Sequence, residues 1–260
     1  MPNLRAALDA ITGAGDEYRT ATPEGWTQGR TLYGGMTVAL SAHVAGLAAP
    51  GLPPLKSVQF TFVGPAAGDL VFRPQVLRKG RSATILGVDC LADGLLAARG
   101  LLTYGAARQS AIQHVDRRPT LPPPPEQCEL FADTPRKGFF ENFELRLAAG
   151  ARLFSGPEAL PEFEVWIRHL DDAGVDPMIA MLALADGLPP AAMTQFPAFA
   201  PISTMTWGID IAEPPASGGW FLARSVSEAC EDGYSFQGME LFDAAGVRVA
   251  AGRQVVAIFV

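Results

Sequence analysis

The chain has 260 residues, a formal charge of −7, a pI near 5.0 and 48% apolar residues. The length fits two domains of roughly 100 to 150 residues or one large domain. The acidic balance argues against nucleic-acid binding through a general electrostatic field. Gly, Pro, Arg or Asp interrupts every apolar stretch well before the ~20 residues that span a bilayer, so no membrane partner is expected.

The first half of the chain predicts a strand, a helix and then four more strands. An extended stretch from Glu17 to Gln28 leads into Gly34-Gly35, which opens an alanine-rich helix that ends near Ala49. The four strand-like runs that follow are Leu55–Val63, Leu70–Arg78, Ala83–Leu91 and Leu95–Tyr104. In the first of them Val58, Phe60 and Phe62 alternate with polar residues, which is the period-2 pattern of a strand with one buried face.

Residues 107–138 read as a proline-rich linker between two units, 1–106 and 139–260. Pro119 and the run 122–125 remove amide donors and favour an extended chain. A proline-rich ligand for a partner protein is the alternative, but a connection between two units is already required at this point.

The second half repeats the pattern of the first. Extended runs at Phe143–Leu147 and Phe163–His169 precede Asp176-Pro177, which pairs an N-cap residue with proline at the first helical position. The helix stops at Gly187, and four strand-like runs follow: Ser203–Ile211, Trp220–Ala229, Tyr234–Phe242 and Val247–Phe259. The chain therefore uses one unit of strand, helix and antiparallel strands twice. We expect the functional site to lie where the two copies meet.

The cysteine and histidine content predicts a reducing compartment and no metal site. Cys90, Cys128 and Cys230 are odd in number and none stands in C-x-x-C spacing, which is typical of free thiols in the cytoplasm. The three histidines are scattered and form no metal-binding motif.

Asp186 is the first candidate catalytic residue. It ends the second alanine-rich helix, and a carboxylate there faces the negative end of the helix macrodipole, which costs roughly 0.3–1 kcal/mol. Something else must therefore stabilise it, either solvent or a functional partner.

Thr204 and Gln254 are the other polar candidates, and both lie in predicted strands. Simple alternation puts Thr204 and Thr206 on one face and Trp207 on the opposite face. Gln254 shares a face with Val256, so its amide is either bonded to backbone or available to a ligand.

Gly34-Gly35 is the candidate substrate-binding element. Amides at a helix N-terminus stabilise negative charge, which suits a carbonyl oxygen that becomes an oxyanion, although a plain tight turn explains the glycines equally. The chain has no G-x-S-x-G elbow and no dinucleotide or phosphate-binding glycine motif.

Taken together, these residues resemble the acyl-CoA thioesterase II family. The resemblance rests on Tyr33-Gly34-Gly35, on the strand and turn Phe60 to Asp69, and on Gly187-Leu188-Pro189-Pro190 after the second helix. It implies an α+β double hot-dog fold, in which two antiparallel sheets each wrap round a central helix and join edge to edge.

The resemblance also implies a mechanism and its residues. Asp186, Thr204 and Gln254 match the family's water-activating Asp, Thr and Gln, and the Gly35 amide would polarise the thioester carbonyl. Acyl-CoA is then the substrate, no cofactor is needed, and a homo-oligomer is expected. Several family members carry Asp, and sometimes His, where this chain has Thr206 and Trp207, which alters the polarity around the site.

Two other functions remain as alternatives. A catalytically weak acyl-CoA-binding protein would keep the fold without turnover. A hot-dog enoyl-CoA hydratase normally needs an Asp/His pair in a helix-entry loop, and no histidine here stands in such a place.

Overall fold

The computed structural model describes residues 3–118, 120–131, 137–215 and 218–260. Its α-helices are α1 (Leu4–Asp9), α2 (Gly34–Ala48) and α3 (Pro177–Ala185), with 3-10 turns at Pro125–Gln127, Gly138–Asn142 and Ala191–Thr194. The strands of the first half are β1 (Thr12–Ala14), β2 (Glu17–Ala21), β3 (Thr27–Gln28), β4 (Thr31–Leu32), β5 (Leu55–Phe62), β6 (Asp69–Lys79), β7 (Ala83–Ala92) and β8 (Leu95–Gly105). Those of the second half are β9 (Glu129–Leu130), β10 (Phe143–Gly150), β11 (Glu162–His169), β12 (Ile202–Ile211), β13 (Phe221–Glu231), β14 (Tyr234–Asp243) and β15 (Arg248–Ile258).

The predicted helices and long strands are confirmed to within two residues at most ends. Asp176 caps α3 by accepting hydrogen bonds from the amides of Met178 and Ile179, with Pro177 at the first helical position. Helix α1 and the 3-10 turns were not predicted, because short segments of this kind carry too few residues for a periodic pattern.

Thirteen strands form one antiparallel sheet in the order β1-β2-β6-β7-β8-β5-β12-β15-β14-β13-β11-β10-β9. Outward from the centre, the first half runs β5, β8, β7, β6, β2 and the second half runs β12, β15, β14, β13, β11, so the same order occurs twice. The halves join where β5 pairs with β12, with Val58 opposite Ile209 and Phe60 opposite Trp207. The predicted repeat and the edge-to-edge junction are therefore confirmed, and the junction leaves no free strand edge at the centre of the sheet.

Helices α2 and α3 lie side by side on the inward face of the sheet. Helix α3 has only apolar side chains, and the buried hydroxyls of Thr37 and Ser41 in α2 donate hydrogen bonds to the Tyr33 and Thr37 carbonyls, as expected of helices enclosed in a core. In α3 every residue from Ile179 to Ala185 is buried, and α2 is buried from Gly35 to Ala42. The ends of two enclosed helices thus meet inside the protein, where their charged and polar groups must be satisfied by other protein groups.

The proline-rich segment packs on the outer face of the second half of the sheet. The Trp166 indole donates a hydrogen bond of 2.8 Å to the Pro123 carbonyl, and Leu121 and Cys128 join Trp166 in a small apolar cluster. Pro119 and residues 132–136 of the predicted linker lie outside the described residues.

Candidate active site

A cavity of about 360 Å³ lies where the two halves of the chain meet. The first half contributes Gly34, Thr37 and Phe62 to its lining, and the second half contributes Asp186 and Thr204. The structure thus brings together three of the residues expected to act on substrate, and it places them at the meeting of the two repeats.

Asp186 is the C-cap of α3, and its carboxylate points to the N-terminus of α2. A Cβ built on Gly34 would stand 2.6 Å from Asp186 Oδ2, and the Gly35 amide donates a hydrogen bond to the same carboxylate. The N-cap of α2, Tyr33, makes no capping hydrogen bond with its own side chain. Asp186 therefore acts as the capping carboxylate of α2. The positive end of the α2 dipole offsets the unfavourable interaction of Asp186 with the negative end of α3.

Burial raises the pKa of Asp186 from 3.8 to about 7, and the hydrogen bond from the Gly35 amide opposes that rise. The residue keeps a little accessible surface towards the cavity, but protein atoms surround the carboxyl closely enough for desolvation to dominate. A carboxyl with a pKa near neutrality is suited to accept a proton from water.

Thr204 faces the cavity because β12 contains an irregularity. Thr204 is opposite Val256 and Trp207 is opposite Gln254, so one extra residue, Met205, is accommodated between them. A β-bulge of this kind reverses the alternation of the faces. The prediction that Thr204 and Thr206 share a face opposite Trp207 is therefore wrong: Thr204 and Trp207 point inward, and Thr206 points outward, opposite the exposed Thr61.

Gln254 lies on the same inward face of the sheet as Thr204, two residues before Val256, which is the partner of Thr204 on β15. It is 4% exposed, and its Oε1 has no hydrogen-bond partner among the described residues. It is a diagonal neighbour of Thr204, a relationship that in a regular sheet separates residues by about 7–8 Å. Gln254 does not line the cavity itself, so the structure brings Asp186 and Thr204 together and sets Gln254 behind them.

Tyr33 was not predicted as part of this site. Its ring stacks on Phe139 at 4.0 Å, its hydroxyl has no partner among the described residues, and it is 1% exposed. Burial, and next the charge of Asp186, hold the pKa of Tyr33 well above its usual value. The Tyr-Gly-Gly motif was the available signal, but nothing in sequence indicates that the ring folds back over Gly35.

A larger cavity, of about 480 Å³, lies on the outer face of the second half of the sheet. Each carboxylate that lines it pairs with an arginine, as in Arg118–Glu164 at 2.7 Å and Arg224–Glu240 at 3.1 Å. These ion pairs leave no free carboxylate among the described lining residues of this cavity, so the smaller cavity is the candidate active site.

Within the described ranges, no three His, Cys, Asp or Glu side chains are grouped closely enough to hold a metal ion. Over the same part of the chain, no helix is both long enough and apolar enough to cross a bilayer.

The sheet with its two enclosed helices defines a double hot-dog protein, as predicted. Residues 22–105 match the model of the acyl-CoA thioesterase N-terminal domain, and residues 122–258 match that of the acyl-CoA thioesterase C-terminal domain. The chain belongs to the acyl-CoA thioesterase family.

Solved structures show the same fold along the whole chain. A hot-dog protein of unknown function from Alicyclobacillus acidocaldarius is 20% identical, with a TM-score of 0.85 over 98% of this chain and 97% of its own. The acyl-CoA thioesterase II TesB2 of Mycobacterium marinum is 19% identical, with a TM-score of 0.79 over 97% of each chain. The tesB protein of Mycobacterium avium subs paratuberculosis is 16% identical, with a TM-score of 0.81 over 98% of each chain. None of the curated proteins compared with this chain matches it in sequence.

Proposed function

We propose that this protein hydrolyses acyl-CoA thioesters to a free acid and CoA through direct attack by water. The observation that carries the proposal is the Asp186 carboxyl, which lies beside Thr204 in a cavity at the N-terminus of α2 and whose pKa is raised to about 7. The Mycobacterium marinum relative is an acyl-CoA thioesterase II, which supports the same substrate class.

In the proposed reaction Asp186 accepts a proton from the water as its oxygen attacks the thioester carbonyl carbon. Thr204 and Gln254 orient that water, and no covalent acyl-enzyme forms. The carbon–sulfur bond then breaks, and the proton held by Asp186 passes to the leaving thiolate of CoA. The products are one carboxylic acid and one free thiol.

Amides of the first turn of α2 are proposed to stabilise the developing oxyanion. Gly34 lines the cavity, and the helix N-terminus directs its partial positive charge there. The Gly35 amide donates to Asp186 in the structure, so its predicted role as donor to the thioester carbonyl stays a proposal.

The same proposal includes the roles of the site residues and the division of the chain at 1–106, 107–138 and 139–260. It also includes a cytoplasmic location and a homo-oligomer. Three free cysteines, of which Cys90 and Cys128 are buried, are consistent with a reducing compartment. Exposed apolar side chains such as Leu101 and Phe236, on the outer face of the sheet, are consistent with assembly through that face.

The test is thiol release from a panel of short, long, branched and aromatic acyl-CoAs. Asp186→Asn should lower turnover by about 10²-fold or more, because it removes the base while keeping the shape of the side chain. Asp210→Asn, an exposed position on β12, is the matched control and should leave turnover unchanged. Each assay needs an enzyme blank, since the exposed Cys230 also reacts with thiol reagents.

Turnover that disappears in Asp186→Asn and survives in Asp210→Asn supports the proposal. Acyl-CoA binding without turnover on any chain would instead favour an acyl-CoA-binding protein of the same fold.

A further inference from the structure

Three buried polar side chains form a continuous row on the inward face of the sheet. Trp207 on β12 is directly opposite Gln254 on β15, and Gln254 is directly opposite Gln237 on β14. Each of the three is at most 4% exposed. Residues opposite one another in antiparallel strands have Cβ atoms about 4.5–5.5 Å apart, so these side chains are direct neighbours.

Each residue of the row carries one fully buried polar atom with no partner among the described residues: Trp207 Nε1, Gln254 Oε1 and Gln237 Nε2. The orientation of the Gln237 amide is fixed, because its Oε1 accepts a hydrogen bond of 2.7 Å from the Ala191 amide. The NH2 group of Gln237 is therefore a donor without an acceptor among the described residues. The row thus consists of a donor, an acceptor and a donor, and burial without partners would destabilise all three.

A buried water molecule would satisfy this set of groups. Such waters make about 3 hydrogen bonds to polar groups that would otherwise be unsatisfied. One water can accept from the Trp207 and Gln237 N–H groups and donate to Gln254 Oε1. Its second O–H would remain available as a donor.

The row is separate from the space that substrate would occupy. Thr204 and Asp186 line the cavity of about 360 Å³, whereas Trp207, Gln237 and Gln254 do not. The row lies behind the residues that face the cavity. Its unpaired polar atoms are therefore expected to hydrogen-bond to something other than the acyl chain of the substrate.

We propose that Trp207 and Gln237 are positioning residues, whose N–H groups hold a buried water against Gln254 Oε1 and so fix the Gln254 amide beside Thr204. The proposal rests on the proposed function, because Gln254 is the residue expected to orient the reacting water. Trp207 and Gln237 contact neither substrate nor reacting atoms; they act through Gln254.

A double-mutant cycle between Trp207→Phe and Gln254→Met tests the coupling. Trp207→Phe should lower kcat roughly fivefold, the equivalent of one neutral hydrogen bond, while KM is unchanged. The double variant should be no slower than Gln254→Met alone, because Trp207 acts only through Gln254. Losses in kcat that multiply in the double variant would overturn the proposal.

Trp26→Phe is the matched control. The Trp26 indole is equally buried and its Nε1 is also without a partner, but it packs against Phe143, with ring centroids 5.8 Å apart, and is not part of the row. It should leave kcat unchanged. An equal loss of kcat in both tryptophan variants would mean that the effect is general packing, and the inference would fail.

A second measurement does not depend on activity. A high-resolution crystal structure of the whole protein should show an ordered water within hydrogen-bond distance of Trp207 Nε1, Gln254 Oε1 and Gln237 Nε2. A dry row in that map would overturn the inference whether or not the enzyme turns over. If no acyl-CoA is hydrolysed but the water is present, the proposed function fails and the buried water site stands.

Discussion

Asp186 lies so close to Gly34 that a Cβ on the glycine would stand 2.6 Å from Asp186 Oδ2. The same Cβ would stand 3.2 Å from Cζ of Phe62, which also lines the cavity. The position of the carboxylate therefore depends on the absence of a side chain at the start of the other helix.

Gly34→Ala is expected to displace the Asp186 carboxylate and to lower kcat by about 100-fold, the effect of a misplacement of roughly 1 Å in a reacting group. Steady-state kinetics on the best substrate of the panel would measure the loss. Wild-type kcat in Gly34→Ala would contradict the close contact.

Gly46→Ala controls for the general effect of replacing a glycine in α2. Gly46 is exposed, and a Cβ built there meets nothing within 4 Å. Activity should be unchanged, and the free energy of unfolding should rise by about 0.5–1 kcal/mol, because alanine is the better helix former.

Thr204→Val should lower kcat at least roughly tenfold, because it removes the hydroxyl that faces the cavity and keeps the side-chain volume. Thr206→Val is its control, two residues away on the outer face of β12. The two variants should differ strongly in kcat. Equal effects would mean that the bulge does not separate the two faces as described.

The rate should depend on the ionisation of Asp186. Because burial raises its pKa to about 7, the fraction of base increases with pH through that value. We expect kcat/KM to rise tenfold per pH unit below about pH 7 and to level off above it. A profile of kcat/KM from pH 5 to pH 9 measures this, and a flat profile across pH 7 would exclude Asp186 as the base.

Asp186→Asn should be more stable than the wild type at neutral and alkaline pH. Between about pH 4 and pH 7 the folded wild type holds a proton at Asp186 that the unfolded chain has released. Its free energy of unfolding therefore falls as pH rises through this window, by roughly 4 kcal/mol at most, since one pKa unit corresponds to about 1.4 kcal/mol. Asparagine does not ionise, so the free energy of unfolding of the variant does not fall in this way as pH rises.

Urea unfolding of wild type and Asp186→Asn at pH 4.5 and pH 8 would measure the difference. The two should be similar at the lower pH, and the variant should be more stable at the higher one. A variant that is less stable at pH 8 would contradict the burial of a charged carboxylate.

Much of the fold could be predicted from sequence because the information is local. Alternation in Leu55–Phe62, the cap formed by Asp176 and Pro177, and the glycine after α3 each act within a few residues. The repeat added the expectation that the two halves share one architecture, whereas the order of the strands in the sheet was seen only in the structure. Short elements such as α1 and β9 were missed, because their stability comes from packing and not from their own pattern.

The sequence by itself determined two similar units, their helices and strands, and the three polar residues that the family resemblance singles out. Only the tertiary structure decided which of these polar residues line the same cavity. The carboxylate of Asp186 is stabilised by an amide from a helix more than a hundred residues away, which no local pattern encodes. The bulge that turns Thr204 inward depends on the register between β12 and β15, and the desolvation that raises the Asp186 pKa depends on both helices being enclosed. These effects arise between segments that are distant in sequence, so they exist only in the folded chain.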